Sequence, residues 1–119
     1  MKLLFDTHTF IWWDSEPTRL SSRALELLSN SANMKFLSVV SIWEIQIKHQ
    51  LGKLSLTLPL KDIIDEQINN HNISILPIAP NHIFGLNHLP FHHKDPFDRL
   101  LISQAKIEEA ILVSCDSVF

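Results

Sequence analysis

The sequence predicts an α/β layer fold, a central parallel sheet of four or five short strands flanked by helices. Two patterns in the chain predict it. Short apolar runs (Leu3–Phe5, Phe36–Val40, Ile73–Leu76 and Ile111–Val113) have strand length and are bounded by polar or turn-forming residues. Stretches whose apolar residues recur at helical spacing separate these runs, and that alternation argues for strands joined through crossover helices. Composition agrees, since 45% hydrophobic and 19% charged residues over 119 positions supply one core, and hence a single domain over 1–119.

Each element follows in order. Leu3-Leu4-Phe5 stops at Asp6 and opens the sheet. Thr7 to Trp13 starts a helix that Glu16-Pro17-Thr18 breaks. From Ser21 the stripe Ala24, Leu25, Leu27 and Leu28 is helical, with Ser21 or Ser22 as N-cap, and residues 30–33 form a loop. Phe36 to Val40 is the second strand. Ser41-Ile42-Trp43-Glu44 opens a helix to about Leu51, closed by Gly52. Pro59 precedes a helix carrying Leu60, Ile63, Ile64 and Ile68, which residues 69–72 end. Ile73–Leu76 is the third strand, between helices and bounded by Pro77 and Pro80. Asn81 to Leu89 reads as a short helix and Pro90 to Lys94 as a loop. Asp95-Pro96-Phe97-Asp98 launches the longest helix, to about Ala110, before the fourth strand at Ile111–Val113.

The formal charge of −3 advertises no global affinity for nucleic acid, so an RNA-binding surface has to be local. One cysteine, Cys115, excludes an intrachain disulfide and any cysteine-based zinc cluster, and fits a reducing compartment. The acid at position 6 interrupts the N-terminal apolar run before it reaches the length of a secretory signal. No run reaches the roughly 18 apolar residues of a membrane span, so the expectation is a soluble cytoplasmic domain with no membrane partner.

Among 13 acidic residues, position singles out four. Asp6 ends the first strand, Glu44 falls in the expected first turn of the helix after the second, Asp98 opens the helix leading to the fourth, and Asp116 lies just beyond that strand. Ligands of open parallel sheets bind outside the carboxyl ends of the strands, so such a sheet gathers all four acids in one cleft. Carboxylates so gathered repel one another unless a cation sits between them, and a hard divalent cation with oxygen ligands is the natural solution. Such an ion acidifies water and neutralises charge on a phosphoryl oxygen. Thr7, Ser41 and Ser114 stand beside three of the acids and are placed to orient ligands or waters.

Capping offers a simpler account of two of them. Ser41-Ile42-Trp43-Glu44 fits a capping box, and Asp95-Pro96-Phe97-Asp98 offers an N-cap, a proline at the first helical position and an acid favoured by the helix dipole. Asp6 is harder to explain this way, because a carboxylate directly after Leu-Leu-Phe leaves water unless it is paired or coordinated.

These residues also carry a resemblance. Leu4-Phe5-Asp6-Thr7-His8 followed by Ile11-Trp12, then Ser38 to Lys48 around Glu44, then His93 to Ala105 around Asp98, and finally Leu112 to Asp116 resemble, in order, the motifs of PIN-domain toxins of the VapC type. The resemblance covers nearly the whole chain. It implies a Rossmann-like PIN fold, Mg²⁺- or Mn²⁺-dependent RNA cleavage, a toxin role restrained by a cognate antitoxin that enters the active-site groove, and homodimers. Asp6, Glu44 and Asp98 match the three strongest acidic positions and Asp116 the more variable fourth, while Asp95 matches a helix cap. Relatives usually continue into another short strand, so the resemblance leaves two readings of the C-terminal edge, an incomplete sheet or a chain truncated after Phe119.

Cations follow several of the motif acids. Arg99, Lys48, Lys94 and His93 are candidates for RNA phosphate contact, Arg99 first among them as a site-facing cation, whereas Lys53 reads as an ordinary solvated side chain. Trp12, Trp13 and Trp43 could stack on bases, although Trp12 and Trp43 lie in apolar surroundings that favour the core or a partner interface. Two competing functions remain. Asp6-Thr7-His8-Thr9 resembles the nucleophilic-aspartate opening of haloacid-dehalogenase-like phosphohydrolases, but His8 stands where that class has a second aspartate. A non-catalytic binding module, its acids serving only as caps, is the other.

Overall fold

The computed structural model describes residues 1–90 and 95–114. His93, Lys94 and Asp116 lie outside the described residues. Among the described residues the sheet has four strands, β1 (Lys2–Phe5), β2 (Met34–Ser38), β3 (Ile73–Leu76) and β4 (Ile111–Val113), in the order β3-β2-β1-β4. Every pairing is parallel, with Leu4 opposite both Phe36 and Leu112. Six α-helices connect them: α1 (Thr7–Ser15), α2 (Ser22–Ser29), α3 (Val39–Gln50), α4 (Leu60–His71), α5 (Pro80–Phe84) and α6 (Pro96–Ile107), with single 3-10 turns at Pro17–Arg19 and Gly85–His88.

The strands alternate their side chains between two cores. Leu3, Phe5, Leu37 and Ile73 join Phe10, Ala24, Leu28 and Ile63 on the face covered by α1, α2 and α4. Leu4 turns the other way, to Leu101 and Ala105 of α6 and Val40 of α3, with Phe36 and Leu112 alongside. Both faces are covered, which is why β1 and β4 read as the unbroken apolar runs Leu3–Phe5 and Ile111–Val113. The chain runs outward from β1 to β3 and returns to place β4 on the other side of β1. The direction of winding therefore reverses between β1 and β4, and the crevice that this opens lies at their carboxyl ends. Among the described residues, no helix is long and apolar enough to cross a membrane.

Several boundaries differ from expectation. The second strand runs Met34–Ser38 and α3 begins at Val39, because the Ser38 hydroxyl accepts from the Val40 N–H at 3.0 Å and caps the helix there. Ser41 is thus inside α3, the Ser41–Glu44 capping box does not form, and Glu44 lies in the second turn. The helix expected at Asn81–Leu89 is a five-residue α-helix continued by a 3-10 turn. The helix at Asp98 is not the longest, since α3, α4 and α6 each have 12 residues. It stops at Ile107 rather than Ala110, where Glu109 adopts the left-handed conformation (φ 54°) and the Ala110 N–H bonds back to the Ala105 carbonyl at 2.9 Å. Gly52 ends α3 as expected, at φ 74°.

Candidate functional site

Asp6 is carried to the end of β1 by the pairing that continues past it, its N–H donating to the Val113 carbonyl at 3.0 Å. It occupies the N-cap position of α1, yet its side chain caps nothing. The half-buried carboxylate is instead approached by the Ser114 hydroxyl, 3.5 Å from Oδ2. The next residue, Thr7, is buried and donates to the Ser41 hydroxyl at 2.9 Å, tying the start of α1 to α3. Two of the three hydroxyl residues singled out beside acids thus hold elements together around the cleft, and the third faces Asp6.

Glu44 is 4% exposed. Lys48, one turn later on α3, meets its Oε2 at 2.8 Å, while Oε1 is buried without a hydrogen-bond partner among the described residues. A carboxylate so placed has lost its hydration and recovered only part of it. On α6, Asp95 is the cap: its side chain accepts from the N–H groups of Phe97 and Asp98 at 2.8 and 3.2 Å. Asp98, in the first turn, is left to face the cleft. Burial, then the charges of Asp95, Asp6 and Glu44, push its carboxyl up to about 6, against a small opposing pull from His8.

These groups line one cleft of about 180 Å³: Asp6, His8, Glu44, Lys48, Asp95 and Asp98, floored by Leu101, Ile102 and Leu112. The structure therefore brings together three of the four acids singled out in the sequence, on three separate elements. A larger cleft of about 450 Å³ lies between α1, α2 and α4, but its buried polar group, Gln67, is already bonded to the Trp13 indole and to Asp14. Among the described residues, no three His, Cys, Asp or Glu side chains converge as a ready-made metal cage. The acids of the smaller cleft nonetheless fit a divalent cation in donor type and charge. Among the described residues, the carboxylate oxygen of Glu44 that has no hydrogen-bond partner and the raised carboxyl of Asp98 mark crowded negative charge that a cation between the acids would relieve.

The candidate cations divide. Lys48 is in the cleft. Arg99 does not line it; its guanidinium donates to the carbonyls of Pro90 (2.8 Å) and Leu86 (3.2 Å) and straps the 3-10 segment to α6. Trp43 is 56% exposed, stacked edge-on against Phe97 at 5.1 Å, so it is not a core residue. Trp12 packs against the larger core under the Arg19 guanidinium.

One constellation escaped the sequence. The Ser38 hydroxyl donates to Gln104 Oε1 at 2.6 Å, and Gln104 Nε2 reaches the Pro77 carbonyl at 3.3 Å. His82 Nδ1 accepts from the Ala79 N–H at 2.9 Å, which leaves Nε2 to donate to Glu108 at 2.8 Å. This buried network locks α6 onto the end of β2 and onto α5, and so fixes where Asp98 stands. A glutamine at helical spacing was its only sequence signal.

The model of the PIN domain family matches residues 3–119. The chain belongs to the PIN domain family. Among solved structures, this PIN domain resembles "VapBC2 from Rickettsia felis bound to a DNA fragment from their promoter", with a TM-score of 0.69 and 20% identity over 96% of this chain and 87% of that one. No curated protein matches it in sequence.

Proposed function

We propose that this PIN domain is a metal-dependent endoribonuclease, the toxin of a toxin–antitoxin pair, hydrolysing RNA phosphodiester bonds. The observation that carries this is that Asp6, Glu44 and Asp98, distant in sequence, line one cleft at the carboxyl end of the sheet, where Lys48 is the one lysine or arginine among the described lining residues. Asp6, Glu44 and Asp98 would hold Mg²⁺ or Mn²⁺, with Asp116 as a fourth ligand or support. When bound, the ion supplies charge neutralisation for the phosphoryl group and acidifies water beside it. The chain's own part is to fix the carboxylates: Thr7–Ser41 pins α1 to α3, Ser114 orients Asp6, and Asp95 frees Asp98 from capping duty. Among the described residues Lys48 is the lysine or arginine in the cleft for a phosphate contact, and Trp43 with Phe97 offers an exposed aromatic edge on the neighbouring surface for base stacking.

Family membership supports a nuclease over the haloacid-dehalogenase-like alternative. The likeness to VapBC2 supports the toxin role and a cognate antitoxin as partner; pairing of two copies is part of the same proposal. The test is cleavage of labelled structured RNAs by the purified chain with Mg²⁺ or Mn²⁺, beside Asp6→Asn. Metal-dependent cleavage, abolished by chelator and by the substitution while circular dichroism stays unchanged, is the expected result. Equal activity of the two proteins would remove Asp6 from the chemistry, and absence of metal binding would return the acids to structural roles.

A further inference from the structure

The cleft holds a cation of its own. Lys48 Nζ lies 2.8 Å from Glu44 Oε2, and the two side chains differ sharply in exposure, 32% against 5%. The carboxylate is at the floor and the lysine reaches it from the mouth. Glutamate four residues ahead of lysine is the favourable helical order, so α3 itself delivers the ammonium. The pairing is incomplete, because Oε1 of the same carboxylate has no partner among the described residues. A monovalent, strongly hydrated ammonium on a flexible stem is the weaker competitor for a buried carboxylate that a divalent ion can reach.

The charge balance adds a second consequence. Asp6, Glu44, Asp95 and Asp98 face Lys48 in this cleft, with His8 at its edge. From the described residues, a phosphate entering the metal-free cleft meets more carboxylates than cations and a lysine already engaged. We infer that Lys48 is a place-holder: it neutralises Glu44 while no divalent ion is bound and, once an ion takes Glu44, its released ammonium binds an RNA phosphate. Metal and RNA binding are then positively coupled through one side chain, and by linkage each strengthens the other. This deepens the nuclease proposal and rests on it.

The role makes two demands of opposite sign on one variant. Lys48→Met keeps the apolar stem and removes the charge. In calorimetric titration of the full chain with Mn²⁺ alone, it should bind the ion about five- to tenfold more tightly than wild type, the competitor being gone. With a 2′-O-methyl RNA oligonucleotide as the uncleaved probe, wild type should bind better in Mn²⁺ than in chelator. Lys48→Met should lose most of that gain despite its tighter hold on the metal, and Lys48→Arg should restore it. A purely structural helix pair gives no such opposition. Unchanged or weaker Mn²⁺ affinity in Lys48→Met, or an intact metal-linked gain for the probe, overturns the inference and leaves the nuclease proposal standing. Failure of wild type to bind Mn²⁺ overturns both.

Discussion

Replacing Asp98 by asparagine should stabilise the metal-free protein, although Asp98 is a proposed metal ligand. Burial and the charges of Asp95, Asp6 and Glu44 raise its carboxyl from 3.8 to about 6. At face value that is about 3 kcal/mol against the ionised folded form. Asp98 is only half-buried, so solvent screening reduces the penalty to about 1 kcal/mol. Asparagine also forfeits the attraction of a negative charge to the N-terminus of α6, about 0.5 kcal/mol, so a net gain of about 0.5 kcal/mol remains. For a chain of this length that is about 2 °C in Tm. The sign with pH follows from linkage. Below 3.8 the group is protonated in both folded and unfolded chains and carries no penalty; as pH rises the folded chain holds its proton longer, so stability is lost progressively until about 6. Calorimetric unfolding in chelator should therefore show Asp98→Asn above wild type at pH 7.5 and level with it or slightly below near pH 3.5. Saturating Mn²⁺ should reverse the order at pH 7.5, because the ion rewards the carboxylate. A variant less stable than wild type in chelator at pH 7.5, or a difference equal at both pH values, would refute the account of crowded, under-neutralised carboxylates.

Two further predictions concern the support of the cleft. Gly85→Ala should destabilise by about 1–3 kcal/mol in urea unfolding, since the added Cβ would lie 2.5 Å from Ser103 Oγ and 3.0 Å from Ile107 Cδ1, and that hydroxyl is held by its 2.6 Å bond to the His82 carbonyl. Ser103→Ala in the same chain should recover part of the loss. Gln104→Ala should cost about 2–3 kcal/mol, because it leaves the buried Ser38 hydroxyl and Pro77 carbonyl short of partners, and the loss should appear as a lower urea midpoint with an unchanged m-value.

The strands and the positions of three acids that line the cleft were legible because each depends on short stretches of chain. An apolar run of strand length ending in an acid says both where a strand stops and that a carboxylate must be accommodated there, as at Leu3–Asp6. The Asp95 cap was legible for the same reason, its partners being two and three residues away. The start of α3 was not. Ser38 and Ser41 are equally good caps in sequence, and what separates them is tertiary: Ser38 also bonds to Gln104, and Ser41 to Thr7. Arg99 is a similar case, adjacent in sequence to a site acid yet claimed by the carbonyls of Leu86 and Pro90.

By itself, then, the sequence determined a parallel α/β sheet and the identity of the acids offered to its carboxyl edge, since hydrophobic periodicity and chain direction are local properties. Tertiary structure alone decided how those acids are partnered. Which carboxylate keeps its proton, which loses its water and which takes Lys48 depend on burial and on charges from other elements, quantities that exist only once β1, α3 and α6 close on one cleft.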